Sequence, residues 1–312
     1  MMRYKVFGGV LDAPFTFPEL READSAATPD WELHLTDSAL ELTSALAARR
    51  LGREELAEGI FAELHRDASG LRISYDDSGT FDISARGRSI LWCPREGCDQ
   101  ELARVDILGR VFSLALHEEG MMTLHGSGVS LPVGAVGFLA SKGSGKSTLA
   151  MTLVARGARL MTDDTFAISP TTLVARPGVH SVRLWDDSAK RFSAMGESRL
   201  GLSDKRTFDV LPNDSLQDDP RPLAALYELI PEPRDSASSD APARRVHLDP
   251  PSATIALMRH SKLGALLGGA EAMEVFDRCA AIAARIPVYS LYVTRDISAI
   301  DVVASTIAGW HV

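Results

Sequence analysis

The stretch FLASKGSGKSTLAMTLVARGARLMTDD, residues 138–164, constrains this chain more than any other. It passes from an apolar strand into a Gly-Ser loop ending in Lys146-Ser147, then through one helix's worth of residues to the adjacent acids Asp163 and Asp164. Ser141, Lys142, Gly143, Ser144, Gly145, Lys146, Ser147 and Thr148 fit the phosphate-loop pattern, with Ala140 where the first glycine usually stands. Gly143 and Gly145 permit a tight turn that aims successive backbone N–H groups at phosphate oxygens, and the helix N-terminus adds partial positive charge. In such a loop the lysine lies along the β/γ-phosphates and the Ser147 hydroxyl faces Mg²⁺. Alanine at position 140 is tolerable provided its φ stays negative. A plain helix-capping turn with a solvated lysine would explain neither the strand before the loop nor the acids after it.

The distance to those acids follows from geometry. A helix over STLAMTLVARG runs roughly 15 Å from the loop at about 1.5 Å per residue, and Gly157 ends it. A strand from Ala158 to Thr162 then covers about 16 Å at roughly 3.3 Å per residue. If that strand runs parallel to the one before the loop, Asp163 and Asp164 emerge at the edge of the sheet where the phosphates sit. Two carboxylates there divide the labour: one holds Mg²⁺ and the other accepts a proton from an attacking hydroxyl. Successive strand residues face opposite sides, so the backbone must break from regular strand geometry for both to serve. Ser147 and Asp164 are the expected metal ligands, although residues alone do not divide the roles of the two aspartates. The expected cofactors are ATP and Mg²⁺.

Composition narrows the remaining classes. A net charge of −9 over 312 residues argues against nucleic-acid binding while leaving room for a small basic phosphate pocket. No segment has the length and apolarity of a signal or membrane span, so a soluble cytoplasmic protein is expected. Three cysteines give no disulfide framework, and Cys93 and Cys98 in CPREGC lack the second ligand pair of a structural zinc site. A homo-oligomer is neither required nor excluded.

The first hundred residues have the pattern of an α+β unit. Strands are expected at RYKVFGGVL, WELHLTD, LRISYDD and TFDISARGRSILWC, with a helix over REELAEGIFAELH on the spacing of Leu56, Ile60 and Leu64. An amphipathic helix follows over DQELARVDILGRVFSLALHEEG, with Leu102, Val105, Leu108, Phe112 and Leu116 as its apolar stripe. Beyond Met121 strands and helices alternate. MMTLHGSGVSL, AVGFLAS, ARLMTDDTFAI, TTLVARP, RTFDVLP, AALYELIP and VYSLYVT are expected strands, and AEAMEVFDRCAAIAARIP and SAIDVVASTIAGW expected helices. PEPRDSASSDAPARR, residues 231–245, has the composition of a surface loop.

Taken together, LHGSGVSL and ASKGSGKSTLAMTLVARGARLMTDD resemble the catalytic domain of HPr kinase/phosphorylase, a bacterial serine kinase whose smaller relatives include tailoring kinases of lasso-peptide gene clusters. The pattern is met without gaps by His125-Gly126, Lys146-Ser147, Arg156-Gly157, Leu160 and Asp163-Asp164. The resemblance implies an α/β P-loop kinase domain of HPr-kinase type over 105–312; the smaller α+β unit over 1–104 does not match that family's N-terminal domain and is expected to serve substrate recognition or packing. It implies ATP-dependent phosphorylation of a serine-type hydroxyl on a peptide or protein, such as a ribosomal peptide precursor. It also places His125 beside the acid pair in support of proton transfer, with Lys146 on the moving phosphate. Without it, His125 is an ordinary strand histidine. The family's L-E-I-R-G segment is absent, and Asp186 or Asp187 in VRLWDDSAKRF is the candidate substitute for its glutamate. Its P-G-R-N arginine is absent too, with Lys205, Arg206 or Arg259 as stand-ins. A small-molecule kinase and a non-catalytic nucleotide-binding regulator remain the alternatives.

Overall fold

The computed structural model describes residues 1–37, 48–200, 205–209, 211–232, 243–294 and 296–312. The N-terminal region forms one nine-stranded sheet. Its strands are β1 (Met2–Val6), β2 (Gly9–Ala13), β3 (Arg21–Glu22), β4 (Trp31–Leu35), β5 (Arg49–Ala57), β6 (Ile60–Arg66), β7 (Gly70–Tyr75), β8 (Gly79–Ser84) and β9 (Ser89–Pro94). They lie in the order β3-β1-β2-β4-β9-β8-β7-β6-β5. Strict alternation drives this: Leu71, Ile73 and Tyr75, Phe81 and Ile83, and Ile90 and Trp92 are buried while their neighbours face outward. Phe81 and Trp92 are cross-strand partners whose rings stack at 5.8 Å.

The helix expected over 53–65 is instead the hairpin β5–β6, turning at Gly59 with φ +74°. Leu56, Ile60 and Leu64 are four apart, and four is also a multiple of the strand period of two, so their spacing fits either structure. Gly59, left-handed at the turn, decides for the hairpin. Among the described residues up to Asp99 there is no helix, and the first, α1, begins at Gln100.

Helix comes next, as α1 (Gln100–Asp106), a π-helical turn over Ile107–Val111, and α2 (Phe112–Glu118). Asp99 caps it by accepting from the Glu101 N–H. The π turn inserts residues into the helical phase and rotates the buried face. Leu108, Phe112 and Leu116 enter the core as the stripe expects, joined by Ala103, Ile107 and Val111, whereas Val105 stays 38% exposed and Leu102 half-buried, contrary to that stripe.

The second sheet contains β10 (Met122–Leu131), β11 (Gly134–Leu139), β12 (Arg159–Thr162), β13 (Thr165–Ile168), β14 (Val174–Arg176) and, further along the chain, β18 (Arg221–Glu232), β19 (Ala243–His247) and β20 (Val288–Thr294). Between them β15 (Val182–Trp185), β16 (Arg199–Leu200) and β17 (Lys205–Phe208) form a separate three-stranded sheet. The segment expected as one strand over 158–168 is two, β12 and β13, broken at Asp163-Asp164. Strand β10 pairs antiparallel with β11 on one edge and with β12 and β13 on the other. Strands β11 and β12 are therefore parallel in direction with β10 between them, and both end at the same edge. Helices α3 (Lys146–Ala155) and α7 (Ile300–Gly309) belong to the apolar core on one side, built with Val136, Phe138 and Leu229. Helix α4 (Asp186–Arg191) adds Ala189 to that core. Helices α5 (Pro250–Arg259) and α6 (Ala270–Ala283) lie in the other core, which runs on through Phe112 and Leu116 into the N-terminal sheet. The expected loop over 231–245 lies outside the described residues for its central part, 233–242.

Candidate functional site

Strand β11 delivers the chain to Ala140, which is buried and does not adopt positive φ, so the missing glycine costs no strain there. Gly143 and Gly145 do adopt it, at +83° and +91°. A Cβ at either would meet nothing within 4 Å, so the loop fronts open space. Gly145 caps α3 without a side-chain hydrogen bond, which leaves the first-turn N–H groups of that helix without side-chain partners. The open cleft before them has a volume of about 680 Å³ and is bordered by Lys142, His125, the acid pair, Arg183, Lys205 and Lys262. That size suits a whole small molecule.

Lys146 is 6% exposed and donates to the carbonyls of Ala140 at 2.7 Å and Ser141 at 3.2 Å. Burial lowers its pKa, against the attraction of Asp163 and Asp164. Its ammonium also lies 3.3 Å from His125 Nε2. On the other side of that ring, Nδ1 is 3.2 Å from Asp164 Oδ1. An ammonium only donates and a carboxylate only accepts, so a neutral imidazole with its proton on Nδ1 satisfies both contacts. The backbone of His125 is fixed in turn by its N–H donating to the His260 carbonyl at 2.7 Å.

The two aspartates occupy different surroundings. Asp163 is 7% exposed, and its Oδ1 accepts from the Ser147 hydroxyl at 2.9 Å and the Ser127 hydroxyl at 2.5 Å. Asp164 adopts φ +73°, which aspartate tolerates better than most residues and which breaks the strand so that both carboxylates face the cleft. It is ringed by cations: Lys262 Nζ donates to Oδ2, and Arg183 lies 3.8 Å away. Burial alone would raise its pKa, but Lys262, the His125 hydrogen bond and Arg183 together hold the carboxyl well below its ordinary range. Lys205, also on the cleft, has its pKa lowered by burial and by Arg183.

Every residue of the 141–148 loop except Ser141 lines the cleft, together with His125, Asp163 and Asp164. The Ser147 hydroxyl lies against Asp163, whereas Asp164, named with Ser147 as a metal ligand on sequence, lies against cations. Asp186 does not reach the site. Its half-exposed side chain binds Arg206 at 2.6 Å and Lys190 at 2.7 Å, and Asp187 is 94% exposed. Those contacts also hold Arg206, while Arg259 pairs with Glu228 at 2.7 Å, so of the three proposed stand-ins only Lys205 lines the cleft. Sequence reasoning missed Ser127, Arg183 and Lys262. Ser127 was legible as the i+2 neighbour of His125 on one strand face. Lys262 carried no signal, since it sits 98 residues from the aspartate it binds.

No protein-family model matches the sequence, and no curated protein matches it. Among solved structures, the chain has a likeness to the HPr(Ser) kinase/phosphatase from Coxiella burnetii at 13% identity and a TM-score of 0.30, covering 61% of this chain and 95% of that one. A likeness of that strength carries no functional argument, and the chemistry of the site rests on its own residues. Among the described residues no helix is long and apolar enough to cross a membrane.

Proposed function

We propose that this chain is a Mg²⁺-ATP-dependent kinase that transfers the γ-phosphate to a serine-type hydroxyl of a peptide or protein. The observation that carries the reading is the contact chain from Lys146 through His125 to Asp164, set beside the Ser147–Asp163 hydrogen bond at the mouth of a phosphate loop. Ser147 and Asp163 offer hard oxygen donors suited to Mg²⁺. Mg²⁺ takes few protein ligands and completes its shell with phosphate oxygens and water. When bound, Mg²⁺ supplies charge neutralisation at the β/γ oxygens.

The chain's own residues then do the following. Backbone N–H groups of 143–147 hold the phosphate chain, and Lys146, Arg183, Lys205 and Lys262 surround the transferred group with positive charge. The acceptor oxygen forms its bond to the γ-phosphorus as the bond to ADP breaks on the far side. The hydroxyl proton goes to Asp164. A carboxylate this weakly basic suffices because the transition state is loose and the proton leaves late. His125 holds the carboxylate in place through Nδ1–H and accepts from Lys146 at Nε2. Incubation with γ-labelled ATP and short serine peptides, followed by phosphoamino-acid analysis, tests the reading. Phosphoserine is expected; ATP binding without label on any hydroxyl would overturn it.

A further inference from the structure

The cleft is not the only space that reaches the acid pair. A second cavity of about 230 Å³ is lined by Asp163, Asp164, Thr165 and Arg183, and by no residue of the 141–148 loop. Its other walls include Leu102, Val105 and Leu108 on the helical segment before β10, and Thr207 on the small sheet. It shares Val105, Gly109, the acid pair and Arg183 with the phosphate cleft, and so adjoins it at the acid pair without touching the loop. In an in-line displacement the attacking and leaving oxygens lie on opposite sides of the phosphorus. The leaving group is held by the loop, so the attacking hydroxyl comes from the side of the phosphorus away from the loop, and this cavity reaches the acid pair without touching the loop. We infer that this second cavity is the acceptor site, and that it takes a single serine-type side chain with uncharged, apolar atoms beside it, carried on a flexible segment.

This rests on the kinase reading and adds the acceptor's shape and polarity to it. The volume lies below the roughly 300 Å³ at which sites for whole small molecules begin, so a fragment of a larger acceptor enters. The polarity follows from the far end of the cavity. There Arg199 is bound by Glu101 at 2.6 Å, Asp209 at 2.5 Å and Glu19 at 3.5 Å, while Arg104 holds Glu19 at 3.1 Å. Each of these five groups is engaged in an ion pair, two cations against three carboxylates, so the cluster keeps one net negative charge at most and the apolar wall makes the contact. That wall exists because the π turn rotates Leu102 and Val105 out of the core. Val105 is 38% exposed, and both side chains border this cavity.

Leu102 borders this cavity and not the phosphate cleft, so it separates the two sites. In Leu102→Trp, transfer from γ-labelled ATP to a pentapeptide with serine at its centre should fall about tenfold or more in kcat/KM, the scale on which pocket shape discriminates. ATP affinity and slow ATP hydrolysis to water should be unchanged. Leu102→Ala, which widens the cavity, should fold and improve use of the matching threonine peptide relative to serine. The inference is overturned if Leu102→Trp phosphorylates the peptide as wild type does, if ATP binding and hydrolysis fall in parallel with transfer, or if Leu102→Ala leaves the serine-to-threonine ratio unmoved. Wild-type protein that binds ATP but labels neither peptide would overturn the kinase reading itself, a result distinct from the others.

Discussion

Replacing Lys262 by methionine removes the strongest cationic partner of Asp164 while keeping the bulk of the side chain. Lys262 has a side chain 12% exposed, and that of Asp164 is 32% exposed. Breaking a fully buried pair costs about 3–5 kcal/mol. Asp164 is partly solvated and keeps His125 at 3.2 Å and Arg183 at 3.8 Å, so the smaller loss of a charged hydrogen bond, about 1–3 kcal/mol, is the better scale. If most of that loss falls on the transition state, kcat drops about fivefold to a hundredfold. The pH profile supplies a sign. Asp164 acts as a carboxylate and its pKa is depressed in the folded protein, so wild-type activity is lost only as pH falls through that low value. Without Lys262 the pKa rises, and the acid limb of kcat moves to higher pH. Single-turnover phosphate transfer across a pH series, with Lys262→Arg as the charge-preserving control, measures both effects. An unmoved acid limb with unchanged kcat would refute the argument, as would a loss confined to ATP affinity.

Other outcomes follow from the same contacts. Asp163→Asn should raise the Mg²⁺ concentration needed for half-maximal transfer by about tenfold or more while leaving metal-free nucleotide binding intact, read from Mg²⁺ titrations. Gly145→Ala places a Cβ in open space at φ +91°, so its cost is backbone strain alone, about 1–2 kcal/mol. Thermal melting should show that loss, and equilibrium titration should show weaker ATP binding as the loop relaxes.

The local part of the site was legible in the sequence because its geometry is local. The loop, one helix and one strand are contiguous from Ser141 to Asp164, so their lengths alone bring acid back to phosphate. Residues that complete the site from elsewhere were not legible. Lys262 arrives through a bridge between Leu124 and Ser261, and Arg183 on the small sheet, neither of which a local pattern announces. Ambiguity of period misled in the N-terminal unit, where a spacing of four fits helix and strand equally until Gly59 turns the chain. The stripe at Leu102 and Val105 failed for a third reason: a π turn changes helical phase in a way residue identity does not reveal. What looked like core positions there are cavity walls.

The central claim is that Asp164 handles the acceptor proton while the loop holds the nucleotide. Asp164→Asn, mixed with γ-labelled ATP and the serine peptide in a single turnover, tests it most directly. The account predicts bound, intact ATP and no phosphoserine from that variant, against rapid label transfer by wild type. Transfer at the wild-type rate, or loss of ATP binding with transfer from residual complex unimpaired, would contradict it.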